Sequence, residues 1–180
     1  MRDEQATSAE TLLTVENLRV TFSSYAGTVQ AVRGISFDLR RGETVAIVGE
    51  SGSGKSVSVK AIMGILANNA TIESGEIRYG GMDLAALDES RFHEIRGRRI
   101  GLIFQDPLSA LNPIMKIGKQ IMEALHLAGR LTKAEARRRA LSLMIDVGIP
   151  DPERRFNQYP FQFSGGMRQR IVIAIALAGD

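Results

Sequence analysis

The sequence predicts an α/β fold with a phosphate-binding loop set between a strand and a helix, and three observations carry that prediction. An apolar, β-compatible run, Thr44-Val45-Ala46-Ile47-Val48, leads into a glycine-rich stretch. That stretch, Gly49 to Ser56, reads GESGSGKS and matches the spacing G-x-x-x-x-G-K-[ST]. A helix-compatible segment then runs from about Gly54 to Leu66.

The other elements follow in chain order. Residues 1 to 11 read as a flexible lead-in. Leu13 to Phe22 and Val29 to Leu39 contain β-compatible runs, separated by the Ser/Gly-rich turn Ser23 to Thr28. Arg40-Arg41-Gly42-Glu43 makes a tight turn into the strand that feeds the loop. Ile72 to Tyr79 reads as a short strand around Ser74-Gly75, closed by the Gly80-Gly81 turn. Leu87 to Arg96 reads as a helix, and Ile100 to Phe104 as a buried strand ending at Gln105-Asp106-Pro107. Met115 to Ala128 and Lys133 to Val147 carry helical apolar spacing. Thr132 and Glu135 form a T-x-x-E capping box that opens the second of these. Arg137-Arg138-Arg139 within it reads as a solvated face rather than a specific anion site. Pro150, Pro152 and Pro160 break up the next stretch, and Ser164 to Ala178 forms the last helix.

Composition narrows the function classes. The 180 residues suffice for one domain with a sizeable core, with 44% hydrophobic and 24% charged residues. A net charge of +3 is too small to argue for nucleic acid. Cysteine is absent, so there is neither a disulfide framework nor a thiolate metal site. The N-terminus, MRDEQATSAE, is unlike a signal peptide. The longest apolar stretch, Ile171 to Ala178, is too short to span a bilayer.

The loop's chemistry follows from its residue types. Glycines let successive N–H groups turn into one concavity that suits a chain of phosphates. Gly49, Glu50, Ser51, Gly52, Ser53 and Gly54 would form the cradle. Lys55 can reach the outer phosphates, and Ser56 can place its hydroxyl on Mg²⁺. The N-terminal dipole of the following helix also favours anionic phosphate. The plainer alternative is a Gly/Ser-rich turn with a chance lysine. More than a hundred residues later comes Phe163-Ser164-Gly165-Gly166-Met167-Arg168-Gln169-Arg170. Here Ser164 can cap a helix whose first glycines expose N–H groups, a second anion-binding surface. An ordinary Ser-capped helix is the alternative at this motif. His93 and His126 fall in helical segments where surface or packing roles suit them better than chemistry.

Together the two motifs resemble the ATP-binding subunits of ABC transporters. That family's signature is L-S-G-G-Q, and Phe163 and Met167 stand at its first and last positions here. Gln162 to Arg170 resembles the form used by the peptide-importer branch. So does Ile100 to Pro107, continuing Leu108-Ser109-Ala110-Leu111-Asn112-Pro113, which is similar to the oligopeptide, dipeptide, nickel and glutathione importers. Ile95-Arg96-Gly97-Arg98-Arg99 favours the first of the two paired ATPases in such systems.

The resemblance implies a P-loop NTPase core with a parallel sheet, an antiparallel β portion at the N-terminus, and a helical subdomain near residues 106 to 163, all within an ATP-binding domain spanning 12 to 180. It implies ATP and Mg²⁺ as cofactors. Phe22 takes the position of the adenine-stacking aromatic, with Tyr25 as competitor and a core strand role as the alternative. Gln105 takes the position of the glutamine that touches Mg²⁺ or the attacking water and links the site to the membrane subunits. Ser164, Gly165, Gly166 and Met167 take the signature positions that meet ATP held by a second ATPase subunit in a head-to-tail dimer, the methionine leaving one polar contact in doubt. Two membrane permease subunits and, indirectly, an extracytoplasmic solute-binding protein are the further partners, with no nucleic acid. The location implied is peripheral, at the cytoplasmic face of the cell membrane.

In the family a further apolar strand ending in an Asp-Glu pair should follow, then a switch histidine. No residue here takes those positions, Asp180 included, so the sequence reads as a truncated subunit that hydrolyses ATP slowly, if at all. The competing functions are a nucleotide-binding fragment without turnover and a soluble, non-transport ABC ATPase. The D-P-L-S-A-L-N-P string argues against the latter.

Overall fold

A computed structural model describes residues 10–129 and 131–179, which form two compact units that divide between Phe92 and His93. The first nine residues of the expected lead-in, and Asp180, lie outside the described residues.

The first unit is built on a long β-hairpin. β1 (Thr11–Ser24) and β2 (Gly27–Arg40) pair antiparallel from Thr11↔Arg40 to Ser24↔Gly27. β3 (Ala70–Tyr79) pairs with the other edge of β1, and β4 (Met82–Asp83) with β3, giving the order β2-β1-β3-β4. Leu13, Val15, Leu18 and Val20 of β1 are all buried, so the alternation slips by one residue between Val15 and Leu18. A bulge causes the slip. Asn17 takes a left-handed φ of 46°, and the register shifts between Glu16 and Arg19. Gly75 faces this bulge, where a Cβ would lie 2.6 Å from both the Glu16 oxygen and the Leu18 Cα. Only glycine fits that approach.

Helix α1 (Lys55–Ile62) buries Ser58, Ala61 and Ile62. It stops four residues short of the expected Leu66. Gly64 sits at φ 62°, its N–H donates to Ala61 O, and Ile65 N–H donates to Lys60 O, a Schellman close.

Among the described residues the regular sheet is the N-terminal antiparallel one, and the strands expected at 44–48 and 100–104, which a parallel sheet would need, are not formed. Neither segment joins a ladder; Ile100 makes only an isolated bridge with Arg96. A strand needs a neighbouring edge for its N–H and C=O groups, and neither segment finds one. Val48 is consequently 90% exposed, and Val45, Ile47, Ile103 and Phe104 are also open to solvent.

The second unit is helical. Its helices are α3 (Pro107–Ala110), α4 (Ile117–Ala128), α5 (Lys133–Asp146), α6 (Pro152–Arg155) and α7 (Gly165–Leu177), with a 3-10 turn at Pro160–Gln162. α2 (Glu89–Ile95) runs into it from the first unit. Ile117, Ile121, Leu125, Ala140, Leu143, Met144, Ile171 and Ala174 form the centre of its core. α4 has no side-chain cap; its first N–H groups donate to the Gln158 and Phe156 carbonyls instead, at 2.9 Å each. The Phe156 ring lies against Gly118, where a Cβ would meet it at 2.4 Å.

The capping box of α5 forms as expected. Thr132 Oγ1 accepts from Glu135 N–H, and Glu135 Oε2 accepts from Thr132 N–H at 2.8 Å. The Thr132 hydroxyl, and then its backbone N–H, hold the Glu135 carboxyl below its ordinary pKa.

Candidate nucleotide-binding site

Gly49–Ser56 folds as an exposed loop around the N-terminus of α1, with Gly54 buried beneath it. Gly52 and Gly54 take φ values of 83° and 91°, a region that L-side chains rarely occupy. Gly54 also lies against β2, where a Cβ would stand 2.5 Å from the Ala31 carbonyl oxygen. The Ser53 N–H donates to Glu50 O at 3.2 Å and closes the loop's own turn. Lys55 folds back over the loop, its ammonium donating to Gly49 O at 2.7 Å, Glu50 O at 2.6 Å and Ser53 Oγ at 3.3 Å. Ser58 is buried and returns both its N–H and its hydroxyl to Gly54 O. The first turn of α1 carries no acidic residue, which suits an anion at its positive end, although the loop itself includes Glu50. Ser56 is exposed at that end.

Phe22 lies in the same unit, in β1, opposite Val29 of β2 and Ala70 of β3, and is half-buried. Tyr25 stands fully exposed at the hairpin turn and, with Ser23, Ser24 and Asn69, lines a concavity of about 550 Å³. Asn69 fixes that rim, its Nδ2 donating to Ser23 O at 3.1 Å and its own carbonyl accepting from Ser23 N–H at 2.8 Å.

Gln105 and the Ser164 motif belong to the second unit. Gln105 is exposed at a bend, immediately before Asp106, whose carboxylate accepts from Leu108 N–H and caps α3. Ser164 caps α7, accepting from Met167 N–H at 3.3 Å. Ser164, Gly165 and Gly166 are exposed, and a Cβ added to either glycine would meet nothing within 4 Å. Internal packing therefore does not demand glycine at these two positions. The two residues that depart from L-S-G-G-Q both serve packing. Phe163 is buried beneath the Arg155 guanidinium, 5.7 Å from its ring centre, and Met167 packs against the helical core.

Sequence reasoning missed the contacts that hold these segments. Gln120, buried in α4, accepts from Asn112 N–H and donates to the Asn112 and Met115 carbonyls, fastening the chain after α3. A glutamine on the apolar face of α4 was the available signal. Among the described residues there is no cluster of three or more His, Cys, Asp or Glu side chains that could hold a metal.

A family model described as ABC transporter matches residues 32–180. The chain belongs to the ABC transporter family. As an ABC ATP-binding domain it is 57% identical over 173 residues to the dipeptide transport ATP-binding protein DppD of Lactococcus lactis subsp. cremoris (strain MG1363), covering 95% of this chain and 49% of that one. It is 52% identical over 170 residues to the oligopeptide transport ATP-binding protein OppD of Bacillus subtilis (strain 168), covering 94% and 48%. The chain spans about half the length of these curated relatives. The ABC ATPase fold is also that of the ATP-binding cassette MJ0796, solved as a dimer in a post-hydrolysis state with ADP and Pi. That match has a TM-score of 0.83 at 28% identity and covers 93% of this chain and 70% of the other. Among the described residues, no helix of this ABC domain is long and apolar enough to cross a membrane.

Proposed function

We propose that this chain is the ATP-binding part of a transport ATPase that energises import of peptides or related solutes. The observation that supports it most is the exposed Gly49–Ser56 loop at the acid-free N-terminus of α1. In this reading the loop N–H groups and Lys55 hold the phosphates of ATP, and Ser56 and Gln105 approach the Mg²⁺ that arrives with it. Phe22 stacks on the adenine. Ser164, Gly165, Gly166 and Met167 meet ATP held by a second ATPase subunit, which makes the working unit a head-to-tail dimer. Glycines that packing does not require are what such a close approach needs. Residues 12–180 form the ATP-binding domain, with a helical subdomain near 106–163.

The peptide assignment draws on the names of the relatives. In this reading the partners are two membrane permease subunits and, indirectly, an extracytoplasmic solute-binding protein, and the chain works at the cytoplasmic face of the membrane. Hydrolysis needs a group that polarises the attacking water, and no residue of the 180 takes the position of the family's glutamate. This polypeptide by itself therefore binds ATP with little turnover.

Titration with a fluorescent ATP analogue and Mg²⁺ tests the reading. Saturable binding is expected, weakened about ten-fold or more by Lys55→Ala through loss of a charge-assisted contact. Equal affinity in wild type and variant would remove the loop from the function, and phosphate release at transporter-like rates would overturn the slow-turnover part. Co-purification with two membrane subunits separates transport from a soluble role.

A further inference from the structure

Three consecutive side chains near the start of α7 reach carbonyls on three separate segments. Arg168 Nε donates to Pro160 O at 2.8 Å, and its Nη2 to Phe161 O at 3.5 Å. Gln169 Nε2 donates to Phe104 O at 3.4 Å. Arg170 Nη1 donates to Gly148 O at 2.9 Å, at the close of α5. Successive helical residues are about 100° apart, so the three fan across roughly 200° of the helix surface. The arginines hold the approach to Ser164 and the end of α5. Gln169 alone of the three reaches the chain leading into Gln105.

That chain is held in an unusual way. Residues 101–105 join no ladder. At its start, a Cβ on Gly101 would lie 3.8 Å from Ala176 O and 3.9 Å from Ala176 Cβ. At its end is the Gln169 bond to Phe104. Three steps of extended chain cover about 10 Å, and the seven helical residues from Gln169 to Ala176 rise about 10.5 Å. The segment thus lies antiparallel along α7, against the helix at Gly101 and fastened by Gln169 at Phe104.

We infer that Gln169 is a positioning residue whose carboxamide ties the chain leading into Gln105 to the helix that begins with Ser164-Gly165-Gly166, so that the two segments move as one body. The inference rests on the roles proposed above for those residues. It makes the placement of Gln105 depend on a side chain that is not among those proposed above to meet nucleotide or metal.

The absence of cysteine allows a clean test with single spin labels. A nitroxide is attached to Ile103→Cys, an exposed position beside Phe104, and separately to Ile145→Cys, an exposed control on α5. Loss of one hydrogen bond raises the detached fraction of the segment about five-fold. Gln169→Leu and the near-isosteric Gln169→Glu, which cannot donate when ionised, should therefore mobilise the label at position 103 and leave the control unchanged. Gln169→Lys, which restores a donor on a long stem, should return the spectrum toward wild type. Unchanged mobility in both the leucine and glutamate variants overturns the inference. So does equal loosening at position 145, which would mark Gln169 as an ordinary packing residue. ATP-analogue binding measured on the same samples separates the two levels: its absence counts against the nucleotide reading, while the label mobility decides the tether.

Discussion

Replacing Gly54 by alanine should damage this protein out of proportion to one methyl group. Gly54 caps α1 at φ 91°, ψ −2°, a left-handed conformation that costs an L-residue about 1–2 kcal/mol. The new Cβ would stand 2.5 Å from the Ala31 carbonyl oxygen and 3.4 Å from a Val32 methyl. Ala31 is the unpaired residue at a register shift, and Gln30 and Val32 on either side face Thr21 and Val20 of β1, which limits how far its carbonyl can move. Overpacking against fixed surroundings adds about 1–3 kcal/mol, so the expected loss is roughly 2–5 kcal/mol. Gly52→Ala is the internal comparison. It has a similar φ of 83° but open space around its Cβ position, so it should lose only the conformational part, about 1–2 kcal/mol. Urea unfolding of both variants measures the difference, and ATP-analogue titration should show the larger loss of affinity in Gly54→Ala. Equal destabilisation of the two variants, or a Gly54→Ala protein within about 0.5 kcal/mol of wild type, would refute the assignment of the clash.

Gly166→Ala should behave in the opposite way. Nothing lies within 4 Å of its Cβ position, and alanine is the better helix former by up to about 1 kcal/mol, so thermal unfolding should be unchanged or slightly delayed. Association in Mg-ATP, followed by light scattering, should nevertheless be lost if the glycine leaves room for a partner's phosphate. Glu135 supplies a pH dependence. Its folded pKa is lowered by the Thr132 cap, so the cap's contribution is present above the unfolded pKa and is lost as pH falls through the folded one. In an NMR titration Glu135 should titrate below an ordinary glutamate, and Thr132→Ala should raise its midpoint.

Much of this architecture was legible because it is local. The T-x-x-E box announced the start of α5, and the Ser164 cap announced α7, since each is closed by groups three residues apart. The Ser/Gly turn between two β runs announced the hairpin. What escaped depends on groups distant in sequence. The bulge at Asn17 is visible only with Gly75 pressed against it, and α4 starts on the carbonyls of Phe156 and Gln158. Val45-Ala46-Ile47-Val48 and Ile100–Phe104 have the composition of strands, yet composition cannot supply a neighbouring edge. The early stop of α1 could have been read from Gly64, a glycine just past the last apolar turn. For the candidate site, the loop and the Ser164 motif stood out by spacing, while the fan of Arg168, Gln169 and Arg170 did not, because its partners are carbonyls and leave no residue-type signal.

The fold-back of Lys55 bears on the thermodynamics of ligand capture. A free lysine surrenders as much as ~2 kcal/mol of rotamer freedom when a partner immobilises it. Here the side chain is already immobilised by two carbonyls and a hydroxyl of its own loop. All three of its N–H donors are committed to those acceptors, so an arriving phosphate meets an ordered charge but must exchange a loop contact for its own, and the affinity gained is the difference between the two.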